Sequence, residues 1–183
     1  MLFPKVTQLS KMLDALLPPR EGSHAIGAEV LEGLFITSII WSLGAGLLEE
    51  DRITFDNYIK KLSALPQNPA EGSVVGPGEI PIAHPSIYEY YFDLKQEKWI
   101  SWNDIVPIYV HDPAVKFSEI LVPTLDTVRT TWLLSLMVNI KRPVVLVGET
   151  GTSKTATTAN FLRRLDKELT VCALFGDSVF GFN

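Results

Sequence analysis

The sequence predicts an α/β chain in which a helical N-terminal segment precedes the first, incomplete part of a three-layer P-loop domain. Three observations carry that reading. Residues 143–147 (Pro-Val-Val-Leu-Val) form a short apolar run that passes straight into Gly148, Glu149, Thr150, Gly151, Thr152, Ser153, Lys154 and Thr155. That is the order of a phosphate-binding loop, G-x-x-x-x-G-K-[ST], with Ser153 where the second glycine belongs. Upstream, apolar residues recur at helical spacing over 6–17 and again over 29–48.

The first helix follows from Val6, Leu9, Met12, Leu13, Leu16 and Leu17, and Pro18-Pro19 stops it. A single apolar face of that length is not stable alone, so this helix packs on something. Residues 29–48 read as a longer helix, apolar on most faces and therefore sandwiched, with Gly44 and Gly46 marking its end. Thr54 reads as the N-cap of a third helix carrying Phe55, Tyr58, Ile59 and Leu62 inward.

Between 66 and 85 the texture changes to Pro and Gly, which predicts a long irregular connection. Tyr88, Tyr90, Phe92 and Leu94 then alternate with Glu89, Tyr91 and Asp93, a strand period. Trp99 and Trp102 follow in a turn-like stretch, and these aromatics predict a small core. Residues 119–122 read as another short strand stopped by Pro123, after which Thr124 caps a helix with Asp126 in its first turn. Leu125, Val128, Trp132 and Leu136 line one face of that helix, and Lys141-Arg142 lie past its end. After the loop, 154–165 reads as a helix burying Ala156, Phe161, Leu162 and Leu165, and 169–175 as the next strand. The expected division is 1–65, a helical lid or linker; 66–118, a Pro- and aromatic-rich connecting extension; and 119–183, the N-terminal part of the P-loop domain.

Composition narrows the function classes. Hydrophobic content of 46% with 20% charge is ordinary for a globular chain, and the net charge of −5 leaves no basic stripe for nucleic acid. One cysteine, Cys172, excludes an intramolecular disulfide, fits a reducing compartment, and sits in an apolar run as an expected packing residue. His24, His84 and His111 lie far apart, with no partner at metal-ligand spacing. Residues 33–48 are uncharged yet shorter than the roughly 20 residues a spanning helix needs, so no membrane association is expected.

The loop has a definite chemistry. Backbone N–H groups curl around an anion at a helix N-terminus, where unpaired amides and the helix dipole both favour phosphate. Lys154 reaches the β- and γ-phosphates, and Thr155 places its hydroxyl on Mg²⁺. Gly148 permits the sharp exit from the strand and Gly151 a tight bend. Ser153 keeps its N–H, but its side chain is expected to crowd the phosphate and weaken binding. No apolar strand ending in Asp-Glu follows the loop, and Asp177 reads as a turn residue beside Gly176, so hydrolysis by this chain alone is not expected.

Ile120-Leu-Val-Pro-Thr-Leu-Asp-Thr-Val-Arg129, the strand at 143–147 and the loop 148–155 together resemble the dynein heavy chain at the start of its third AAA+ module, axonemal in texture. Residues 41–44 (Trp-Ser-Leu-Gly) and the stretch holding Trp99, Trp102, Val106 and Pro107 resemble the segment joining the second and third modules. The resemblance implies an ATP-driven, minus-end-directed microtubule motor of the cilium or flagellum axoneme, in the cytoplasm and on the cytoskeleton. Microtubules, other dynein chains and neighbouring AAA+ modules are its implied partners, and ATP or ADP with Mg²⁺ its implied cofactors. It further implies that residues 121–123 run beside the adenine, with Val122 as base contact, and that loop 148–155 belongs to a regulatory pocket. The Walker B, sensor and arginine-finger positions of the family are absent here, and the stretch from about Ala173 departs from the family pattern. The chain is therefore expected to be a fragment, a truncated isoform or an incomplete gene model. A self-contained small P-loop nucleotide kinase or ATPase, and a non-enzymatic helical adaptor, are the competing readings.

Overall fold

A computed structural model describes residues 3–18, 25–111, 113–114, 120–149, 151–165, 171–175 and 178–182. The chain divides into two compact units, Met1–Asp104 and Ile105–Asn183.

The first unit is built on α2 (Ala28–Ser42), which packs against α1 (Phe3–Leu16) and against a β-hairpin. Val30, Leu34, Ile36, Ile39, Ile40 and Trp41 of α2 are all buried, so the helix is sandwiched as its all-round apolarity predicts. Its buried polar residues are satisfied locally or by the hairpin: the Ser38 hydroxyl donates to the Leu34 carbonyl (2.8 Å), and Thr37 Oγ1 accepts the Phe92 N–H (3.0 Å). The helix ends at Ser42, two residues before Gly44. The Tyr88 hydroxyl donates to the Gly44 carbonyl (3.1 Å), and a Cβ at Gly44 would run into that hydroxyl and the Phe55 ring.

The third helix, α3 (Glu49–Ser63), begins five residues before Thr54, which lies inside it. Its N-cap, Leu48, makes no side-chain cap bond; Glu49, Glu50 and Asp51 instead place three carboxylates in the positive first turn. Arg52 turns back to donate to the carbonyls of Leu47 (3.0 Å) and Ala45 (3.3 Å). Of the four residues expected inward, Ile59 is buried, Phe55 is half-buried, and Tyr58 and Leu62 are exposed. Buried in their place is Asp56, which the sequence reading passed over.

The hairpin joins β3 (Tyr90–Asp93) to β4 (Lys98–Ser101), antiparallel, with Tyr90 opposite Ser101 and Phe92 opposite Trp99. A single 3-10 turn, Ile87–Glu89, replaces the start of the expected strand, while burial still alternates along β3. Trp99 belongs to β4 rather than to a turn, and Trp102 opens the one-turn helix α4 (Trp102–Ile105). Both indoles are buried, and ring edges meet between Phe92 and Trp99 and between Trp41 and Trp102.

The Pro/Gly stretch 66–85 is irregular but firmly held. The parallel pair β1 (Gln67–Asn68) and β2 (Ile80–Pro81) closes it. The Val75 carbonyl accepts the Trp99 N–H (2.9 Å), and the Glu79 carbonyl accepts the Trp99 indole N–H (2.8 Å). Backbone groups here pair with the hairpin instead of with water, as buried polar groups must.

In the second unit, residues 120–124 form no strand: Pro123 removes a ladder donor and Val122 is half-exposed. Helix α5 (Leu125–Asn139) starts at a reciprocal cap, in which Thr124 Oγ1 accepts the Thr127 N–H (3.3 Å) and Thr127 Oγ1 accepts the Thr124 N–H (2.8 Å). It buries Thr127 and Leu134, while Leu125, Val128, Trp132 and Leu136 are only half-buried. It ends in a Schellman turn, the Arg142 N–H donating to Met137 O (2.8 Å) and the Lys141 N–H to Val138 O (2.9 Å), with Lys141 left-handed at φ 55°.

The strand before the loop is shorter than expected: β5 is Val145–Leu146 alone, and Val147 is 85% exposed. It is the edge of a three-stranded antiparallel sheet ordered β5-β7-β6, with β6 (Val171–Phe175) and β7 (Ser178–Phe182) forming a hairpin. Among the described residues β5 pairs on one side only, and Val145 and Val147 are exposed, so the apolar composition of this run does not make it a buried strand. Helix α6 (Lys154–Arg163) buries Thr157, Thr158 and Phe161, leaving Ala156 exposed. Glu119, Leu169, Asp177 and the Cys172 side chain lie outside what is described.

Candidate functional site: a cleft at two helix starts

Between β5 and α6 the chain turns through Gly151 (φ 87°) and Ser153 (φ 57°, ψ 12°), both left-handed. Left-handed residues in such a turn swing successive N–H groups to one side, which makes the concavity that holds an anion. Gly148 is not left-handed, so the exit from the strand does not use glycine's conformational freedom there. A Cβ at Gly148 would lie 3.4 Å from Thr152 Oγ1 and 3.7 Å from Lys154 Cδ, filling space beside the lysine.

Lys154 opens α6. Its ammonium donates to the carbonyls of Gly148 (2.6 Å) and Glu149 (2.7 Å) and to Thr152 Oγ1 (3.1 Å). Thr152 Oγ1 in turn donates to the Glu149 carbonyl (2.8 Å). Three loop oxygens thus hold the only cation of the turn at the positive end of the helix. An anion in their place would offer charged acceptors, the stronger kind of hydrogen bond.

The loop forms one wall of a cleft of about 350 Å³. Leu146, Val147, Thr152, Ser153, Lys154 and Thr157 face Thr124, Asp126, Thr127 and Thr130 from the first turns of α5. Two helix starts therefore converge on a single hydroxyl-rich space. Asp126 is nearly fully exposed, with Arg129 Nη1 3.7 Å away. A second cleft of about 330 Å³ shares Thr127 and is more apolar, lined among others by Leu121, Pro123, Val128, Trp132, Asn160 and Arg164.

Of the residues singled out in the sequence, Thr152, Ser153 and Lys154 line the cleft between the loop and the start of α5. Gly148 and Glu149 contribute carbonyls to Lys154, and Gly151 makes the bend. Thr155 is exposed at the second helical position and lines neither cleft; Val122 likewise lines neither, although Leu121 and Pro123 on either side line the apolar one. Thr150 lies outside the described residues. Thr127, Thr130 and Thr157 were missed. The signal was available: threonines at 124, 127 and 130 recur every three residues and so share one helical face.

The cleft is lined mostly by hydroxyl side chains, with one ammonium and one carboxylate. Among the described residues no three His, Cys, Asp or Glu side chains gather. Mg²⁺ keeps several waters and is held largely through phosphate oxygens rather than by a cage of protein side chains. No helix among the described residues is long and apolar enough to cross a membrane.

Comparison with known proteins bears on which family built this site. Residues 3–104 match the dynein heavy chain AAA lid domain, and residues 109–178 match the P-loop containing dynein motor region. The chain belongs to the dynein heavy chain family. A helical lid segment and an α/β P-loop region, in that order along the chain, are what this family has. It is 51% identical over 166 residues to human dynein axonemal heavy chain 10, covering 91% of this chain and 4% of that protein. It is 36% identical over 170 residues to the dynein-1-alpha heavy chain of the flagellar inner arm I1 complex of Chlamydomonas reinhardtii, again 91% of this chain and 4% of the relative. Human dynein axonemal heavy chain 2 is 33% identical over 168 residues, 89% of this chain and 4% of the relative. The chain thus spans about 4% of the length of these dyneins. Its P-loop motor region is of a kind that binds nucleotide.

Proposed function

We propose that this dynein chain contributes a nucleotide-binding phosphate loop to an ATP-driven, minus-end-directed microtubule motor, and that the loop serves regulation. The observation that carries the reading is the placement of Lys154, at the positive start of α6, on the floor of a cleft into which the start of α5 also opens. ATP or ADP is the proposed ligand. Its phosphates take the cleft of Thr152, Ser153 and Lys154, and its base takes the apolar cleft beside Leu121 and Pro123, the residues on either side of Val122 in sequence. Mg²⁺ comes with the phosphates and takes Thr155 as its protein ligand. The role proposed for these residues is to bind and orient the nucleotide.

The remaining parts of the proposal rest on family membership. Microtubules, other dynein chains and the neighbouring AAA+ modules are the proposed partners, and the axoneme of a cilium or flagellum the proposed place of work. Residues 1–65 are proposed as lid or linker, 66–118 as a connecting extension and 119–183 as the P-loop part.

Calorimetric titration of the chain with ATP and ADP in the presence of Mg²⁺ tests the reading. Saturable binding is expected, and Lys154→Ala is expected to abolish it. Binding that survives Lys154→Ala unchanged would overturn the assignment.

A further inference from the structure

We infer that Ser153 sets the affinity of this loop through its backbone, not through the bulk of its side chain. The inference rests on the phosphate-binding reading above and deepens it. Ser153 sits at φ 57°, ψ 12°, a left-handed conformation that costs an L-residue energy and glycine almost none. The loop needs that conformation: it directs the chain from Gly151 into α6 and lets the Ser153 carbonyl accept the first helical bond, from the Thr157 N–H at 2.9 Å.

A serine at a helix N-cap ordinarily has extended backbone angles and accepts a backbone N–H of the first turn. Ser153 has neither the angles nor the bond. Its hydroxyl therefore gives no capping stabilisation to offset the strain. Convergent amides are what a phosphate selects, and the loop has them convergent only while Ser153 is left-handed. Strain at that residue lowers the share of free chains that hold the binding conformation, and the apparent affinity falls with that share. A glycine at 153 would free the loop of that cost, and the expected tightening is about threefold to tenfold.

Bulk and backbone strain make opposite forecasts for two substitutions. Asparagine is larger than serine but tolerates the left-handed region; alanine is smaller but does not. The strain account orders affinity as Ser153→Gly, then Ser153→Asn, then serine and Ser153→Ala together. A crowding account orders it Ser153→Gly, Ser153→Ala, serine, Ser153→Asn. Titrating the full chain and the three variants with MgATP and MgADP decides between them, with thermal unfolding confirming that each variant folds. Ser153→Asn binding more tightly than Ser153→Ala supports the inference, and the reverse order or four equal affinities overturns it. If wild type and Ser153→Gly both bind no nucleotide, the phosphate-site reading itself fails, and this inference with it.

Discussion

The carboxylate of Asp56 accepts the backbone N–H of Ile87 at 2.8 Å, tying α3 to the 3-10 turn ahead of the hairpin across 31 residues of sequence. Its other oxygen accepts from Lys60 at 2.7 Å, with both side chains largely out of water. A buried acid with both oxygens engaged holds two elements in register. Removing it strands a buried N–H and a nearly buried ammonium together. Asp56→Ala is expected to cost about 3 kcal/mol of folding free energy, measured by urea denaturation. A loss within the scatter of ordinary surface substitutions, about 0.5 kcal/mol, would show that the bond does not hold the unit together.

Tyr88 should make the fold sensitive to alkali. Burial pushes its phenol from 10.0 up to about 12; the Asp56 carboxylate adds to the rise and the Arg52 guanidinium opposes it. The fold favours the neutral phenol, so this contribution is whole below pH 10 and is lost as pH climbs toward 12. Burial also raises the phenols of Tyr90 and Tyr91, so phenolate absorbance of the folded chain should show a group of late-titrating tyrosines that includes Tyr88. In Tyr88→Phe the fall in stability across that window should be shallower.

Gly33 lies in the interior of α2, where alanine is ordinarily better than glycine by up to about 1 kcal/mol. Here a Cβ would meet the Phe92 ring at 2.5 Å, and that ring is itself packed edge-on against Trp99. Overpacking should win, giving a net loss of about 1–2 kcal/mol in Gly33→Ala. Gly46→Ala, with nothing within 4 Å of the added carbon, is the matched control and should be close to neutral.

Thr124 joins stability to the site. Its hydroxyl caps α5 and it lines the cleft beside Lys154. Thr124→Ala should lower stability by about 1 kcal/mol and weaken nucleotide binding as well, while Thr124→Ser restores both. Thermal unfolding and calorimetric titration of the same samples would check this; a stability loss with unchanged affinity would confine Thr124 to capping.

Much of the molecule is local enough to be read from residue order. The apolar periodicity of α2, the alternation along β3, the cap at Thr124 and the loop leading to Lys154 each depend on neighbours a few positions away. The misses share a cause as well. α3 starts at Glu49 because acids favour a helix start and Arg52 reaches back to Ala45 and Leu47, a combination that outweighed the lone threonine at 54. Trp99 belongs to a strand because its partner, Phe92, lies across a hairpin, and strand pairing is invisible in a single run of residues.

By itself the sequence determined the kind of site: a lysine and a hydroxyl residue after a glycine turn at the start of a helix, with serine in a glycine's place. Those are properties of residue type and spacing, which the chain carries whether folded or not. Tertiary structure alone decided the rest. It brought the start of α5 to the same cleft as the loop, made β5 an edge strand, and buried Asp56 where it could bind Ile87. It also changed the meaning of Ser153. Its side chain could be judged from sequence, but its left-handed backbone could not, because φ there is set by the path from the sheet into α6.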